Sequence, residues 1–131
     1  MRVALAALLI VHGVAHLVGF VVPWKLVSTV EMPYRTTILG GMADVGDVGA
    51  RTLGVIWLMA ALAFILLGGA VLAGSNVRVW MFAMLALSFA LCVVGWPDAR
   101  IGLIVNAVLL AAIVAFPQLS DAPRLERVLP Y

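Results

Sequence analysis

The chain has 131 residues, 66% of them hydrophobic, with 8 basic and 6 acidic side chains and a formal charge of +2. Its mean hydropathy is +1.22, whereas soluble domains are about 45–50% apolar and about 25% charged. These figures exclude a water-soluble enzyme, a disordered tail and a nucleic-acid-binding module, since the few basic residues form no stripe to meet phosphates. The lone Cys92 lies in an apolar run, so no disulfide framework exists.

Every charged residue falls outside four apolar stretches, at about 3–22, 52–74, 79–97 and 101–117. A hydrocarbon core of about 30 Å takes roughly 20 helical residues. Backbone in lipid must satisfy its own hydrogen bonds, and these stretches lack the period-two pattern of a barrel. The sequence therefore predicts an all-α fold, a single integral membrane four-helix bundle over residues 1–131. Tight turns join spans two to three and three to four, a long loop (23–51) follows span one, and a tail covers 118–131.

The first span opens Met1-Arg2 and then runs apolar, as a secretory signal does. It is long enough to cross a bilayer, carries two histidines, and is followed by no small-x-small cleavage site, so it reads as a retained helix. His12 and His16 are spaced i, i+4 and share one helix face. Ionisable groups inside a span are costly and mark a candidate functional site. The pair suits hydrogen bonds to neighbouring helices, half of a helical metal site, or proton handling; one haem cannot take both.

In the long loop, Trp24, Lys25 and Tyr34 are types favoured at the headgroup level. Pro23 and Pro33 bracket a segment, 24–32, that suits the membrane surface, and glycines 40, 41, 46 and 49 suggest a flexible approach to span two. A loop this long in so small a protein points to function. Asp47 caps the second helix, or pairs with Arg51 if the helix starts early enough. On span three, Ser88 is expected to bond back to its own helix and Cys92 to pack as a small apolar group. Asp98, after Pro97, reads as a turn-former or a cap. On span four, expected to continue past Pro117 to Leu119, Gly102-x-x-x-Asn106-Ala107 permits close approach and an interhelical amide bond. Small-residue faces at Gly68-Gly69-x3-Ala73 and at Ala107, Ala111 and Ala115 suit a homodimer.

A depth argument joins these residues. His16 lies six residues before the end of span one and Asn106 about six after the start of span four. At about 1.5 Å per residue, both sit roughly 9 Å below the same face. Asp44, Asp47, Arg51, Trp96, Asp98 and Arg100 belong to that face too, while the opposite half is aliphatic. Basic residues divide evenly between the two sides. Those opposite the termini are spread over a long loop, where they count for less, so the expected orientation is termini inside.

The run His12-Gly13-Val14-Ala15-His16-Leu17-Val18-Gly19-Phe20 resembles the His-Gly-x-x-His-Leu-x-Gly-Phe opening of a group of small four-span bacterial membrane proteins. Trp96-Pro97-Asp98-Ala99-Arg100-Ile101-Gly102 followed by Asn106 resembles that group's second motif, with Leu103 replacing its threonine, and Gly54-x-x-Trp57-Leu58 also fits. The resemblance implies a bacterial cytoplasmic (inner) membrane location and a residue set, but no reaction.

The reading that follows is an intramembrane site near the non-cytoplasmic leaflet that binds or transforms a small lipophilic molecule by acid/base chemistry. His16 would be the base, Asp98 or Asp47 its orienting partner and Asn106 a donor to the substrate. His12 completes the catalytic set; Asp44, Asp47, Arg51, Trp57, Trp96 and Arg100 are the ligand-binding candidates. Expected partners are membrane lipid, the lipophile, and a second copy or a larger membrane complex. The alternatives are an accessory subunit of such a complex, with the polar residues serving packing, and a His-ligated metal or haem site. No cofactor is named by the sequence.

Overall fold

A computed structural model of the chain describes residues 1–27 and 30–119. The fold is all-α apart from one small hairpin. Helix α1 (Arg2–His16) continues after a tightened turn at Leu17 into α2 (Val18–Val21). Helices α3 (Gly46–Leu72), α4 (Arg78–Val94) and α5 (Arg100–Ala115) follow. Two helical segments, Arg2–Val21 and Gly46–Leu72, are long and apolar enough to cross a membrane.

Helices α1 and α2 lie along α3, α3 along α4, and α4 along α5, with α1 also touching α5. The α1–α3 seam is antiparallel and close because glycines line it. A Cβ on Gly13 would stand 2.8 Å from the Ala61 carbonyl oxygen, and one on Gly68 2.6 Å from Ile10. Gly68 is thus spent inside the chain, whereas Gly69 and Ala73 of the expected dimer face are exposed. At the other seam, a Cβ on Gly102 would stand 2.5 Å from Cys92 Sγ. Small residues at such crossings let the backbones approach closely.

Helix ends depart from the sequence boundaries for local reasons. Helix α3 starts at Gly46, six residues before the expected Thr52, and stops where Gly74, at φ +75°, closes the end. There the Ser75 amide reaches the Ala70 carbonyl at 3.0 Å and the Gly74 amide that of Val71 at 3.1 Å. Those are the paired bonds of a left-handed helix stop, which glycine adopts without strain. Helix α4 ends at Val94 rather than 97, and residues 95–99 form a turn. Helix α5 does not run through Pro117. Phe116 leaves the helical region at φ −130°, ψ 67°, because a residue before proline is pushed out of it. The segment Pro117–Leu119 is a separate 3-10 turn. The tail beyond Leu119 lies outside the described residues.

The long loop is built rather than loose. Strands β1 (Thr37–Ile38) and β2 (Ala43–Asp44) pair antiparallel, Thr37 opposite Asp44. Gly40 and Gly41 turn the hairpin at φ +67° and +93°, so the glycines expected to give flexibility supply a backbone shape instead. Among its described residues, 24–32 forms turns and bends and no surface helix. Trp24 anchors this part, its Nε1 donating to the Arg51 carbonyl at 3.1 Å.

The packed core occupies the end that carries Met1 and the Gly74 turn, with Leu5, Leu9, Phe64, Val71, Met81, Leu109 and Ile113 in one cluster. Outward faces are apolar too: Met59, Leu66, Val79, Trp80, Ile104 and Val114 are all exposed.

Candidate functional site

At the opposite end the helices stand around a half-open cavity of about 850 Å³. Val18, Gly19, Val22, Leu53, Trp57 and Ile101 form apolar wall, the hairpin and the Trp96–Ala99 turn cover it, and His12 and His16 border it.

The two histidines are buried and face α4 and α5. His16 Nδ1 donates to the carbonyl of His12, one turn back, at 2.9 Å. Its Nε2 lies 2.9 Å from Ser88 Oγ on α4. His12 Nε2 lies 3.2 Å from the same hydroxyl and 3.1 Å from Asn106 Oδ1 on α5. Asn106 Nδ2 then reaches Cys92 Sγ at 3.8 Å. Aromatic rings pack around the pair: Phe64 sits edge-on to His12 at 4.9 Å between centroids, and Trp57 tilts against His16 at 5.0 Å. Among the described residues no buried side-chain nitrogen or oxygen lacks a partner, which is what low-dielectric burial demands.

The structure therefore brings His12, His16 and Asn106 together, and it joins Asn106 to His12, one turn deeper than His16. Trp57 and Trp96 border the same cavity. Asp98 is not the partner of either imidazole. It stands at the cavity mouth, its carboxylate 3.7 Å from Arg35, with both side chains about half exposed. The backbone around it is pinned as well, because the Gly40 amide donates to the Trp96 carbonyl at 2.8 Å.

The remaining candidates sit on the outer rim, away from the cavity lining. Asp47 does not cap α3, whose first residue is preceded by Val45 with no side-chain cap, and it does not pair with Arg51. It accepts the hydroxyl of Tyr34, over whose ring Lys25 Nζ stands at 4.3 Å. Asp44 bonds the Gly46 amide at 2.9 Å. That bond, with the Thr36 hydroxyl second, holds its carboxyl below the usual range, while the bond to Asp47 raises the Tyr34 hydroxyl. Arg51 points toward Trp24, its guanidinium 6.0 Å from the ring. Arg100 is exposed at the start of α5. Nor does Asp98 cap α5, whose N-cap is Ala99.

Ser88 is the residue the sequence undervalued. It is fully buried and bridges both imidazoles. Its spacing of four from Cys92 put it on the α4 face that meets α5, and that was the available signal. Arg35 was also missed. Among the described residues no three His, Cys, Asp or Glu side chains gather as a metal-binding group. No protein-family model matches the chain, and no curated protein or solved structure is significantly similar to it.

Proposed function

We propose that the protein is a four-span membrane protein whose cavity receives a small lipophilic molecule and presents the His12–Ser88–His16–Asn106 network to its polar group. The cavity bordered by the imidazole pair is the observation that carries this reading. Its volume of about 850 Å³ lies within the roughly 300–1,000 Å³ of small-molecule sites, which are mostly apolar with a few convergent polar groups. Imidazoles linked through a hydroxyl suit proton movement, so acid/base chemistry on the bound molecule belongs to the proposal. Span status is supported by the two long apolar segments, each only 33% buried, and by the continuous apolar exterior, a surface that lipid covers and water does not. We place the protein in a bacterial cytoplasmic membrane with the cavity toward the outer leaflet. The resemblance to small bacterial membrane proteins supports this, since Gly19, Trp57, Trp96 and Asp98 of its motifs surround this one cavity with the histidines.

The test is to purify the protein in mild detergent and analyse its organic extract by mass spectrometry. A lipophilic species should copurify with the native chain. It should be lost from the His12→Leu/His16→Leu double variant and from Ala15→Phe, which fills the cavity without touching the network, at unchanged helix content. Retention of the same species by both variants would sink the reading. One observation favours a structural role instead: among the described residues every fully buried polar atom of the network already has a protein partner. In that case no species copurifies, and the double variant loses helix packing alone.

A further inference from the structure

The hydrogen-bond network fixes where protons sit, and one nitrogen is left over. A carbonyl oxygen only accepts, so His16 Nδ1, 2.9 Å from the His12 carbonyl, carries the hydrogen of that ring. In the neutral ring His16 Nε2 is then a lone pair and takes the Ser88 hydroxyl hydrogen at 2.9 Å. With that hydrogen committed, Ser88 Oγ can only accept from His12 Nε2, at 3.2 Å, and Asn106 Oδ1 accepts from the same N–H at 3.1 Å. His12 is thereby the Nε2–H tautomer, and its Nδ1 is a bare acceptor. No described residue bonds Nδ1. Since no buried side-chain nitrogen or oxygen lacks a partner, this atom is not sealed, and the open space His12 borders is the cavity.

Building on the cavity reading above, we propose that the ligand is an uncharged lipophile with a hydroxyl group, of the phenol or alcohol class, which donates its hydrogen bond to Nδ1 of His12. His16, with both nitrogens committed, is a positioning residue that orients Ser88 and through it His12; the sequence reading had made it the base. The ligand is uncharged because the charged side chains bordering the cavity, Arg35 and Asp98, are paired with each other at 3.7 Å. An ionic head would find no free counter-charge there, and burying it unpaired is costly.

The experiment uses the native full chain in lipid nanodiscs, labelled with nitrogen-15 at histidine and tryptophan, titrated with 4-octylphenol, its methyl ether 4-octylanisole, and 4-octylbenzoate. The Trp57 and Trp96 indole resonances report occupancy of the cavity. Trp80, 67% exposed at the start of α4, reports mere partition into lipid. The phenol should shift Trp57 and move His12 Nδ1 from a bare to a hydrogen-bonded position while leaving His16 unchanged. It should half-saturate at roughly one-tenth the concentration the ether needs, as one neutral hydrogen bond is worth about a factor of ten. Equal binding of phenol and ether, a shift at His16 instead, or tightest binding of the benzoate overturns this assignment and leaves the cavity reading standing. If no probe moves Trp57 or Trp96 apart from Trp80, the cavity reading falls and this inference falls with it.

Discussion

At the end of the bundle that holds Met1 and the Gly74 turn, Leu9, Phe64, Met81, Leu109 and Ile113 are fully buried against one another. At the end that holds the hairpin and Trp96, the same helices stand around a hollow of about 850 Å³. The filled end is held by van der Waals contacts, each small and the sum large. The hollow end forgoes those contacts. Its helices are joined by directed bonds instead: imidazole to hydroxyl and amide inside, backbone amide to carbonyl and Arg35 to Asp98 at the mouth. One end stabilises the molecule, and the other is shaped at some expense to stability.

The largest expected effect tests that division directly. Leu9→Ala removes a side chain with no exposed surface and should lower stability by about 2–5 kcal/mol. Val22→Ala, on the cavity wall, should cost under about 1 kcal/mol, since the space beside it is already open. Reversible unfolding in mild detergent compares them, and equal losses would erase the distinction between the two ends. Next in size is Ser88→Ala, which strands His16 Nε2 and removes one of the two acceptors of the His12 Nε2–H. A loss of about 1–3 kcal/mol is expected, and a second substitution, Asn106→Ala, should cost more than additively, because either acceptor alone still satisfies the His12 Nε2–H and only removing both strands it.

Smaller still is Arg35→Ala. A half-exposed pair contributes about 0.2–1 kcal/mol, so the melting midpoint should hardly move while amide exchange at Gly40 quickens as the hairpin loosens. An unchanged Gly40 rate would show that the Gly40–Trp96 bond alone holds the cover. The smallest effect concerns Asp44, whose carboxyl is held low by the Gly46 amide. A depressed carboxyl contributes its stability above the ordinary carboxylate pKa and loses it as pH falls through the folded value. Exchange at Gly46 and Val45 should therefore accelerate only in acid below that range, and Asp44→Asn should abolish the pH dependence.

Much of the helical framework could be read from the chain, because charges and prolines punctuate it. The second apolar span starts six residues after its helix does, because Asp47 and Arg51 interrupt the hydropathy, although the cap expected at Asp47 already put the helix start near Val48. The asymmetry between a polar and an aliphatic end was legible from residue depth, and so was the gathering of the imidazole pair with Asn106, although depth matched the amide to His16 and the structure bonds it to His12. Ser88 was not. Serine in a helix has a local partner within reach, its own carbonyl four residues back, and nothing in the chain announces that two imidazoles offer a better one. The hairpin was hidden for a related reason. Two-residue strands carry no periodicity, and its hold on the bundle runs through the backbone of Gly40 and Trp96, which side-chain identity does not encode.

Composition and the spacing of charges by themselves settled that this chain is helical and apolar on its outside, because backbone polar groups far from water have few ways to be satisfied. Folding in three dimensions decided the rest: which acceptor each imidazole takes, that Asp98 faces Arg35 rather than a histidine, and that a hollow survives at one end. Those outcomes depend on distances of about 3 Å between residues far apart in the chain, and a linear pattern holds no record of them.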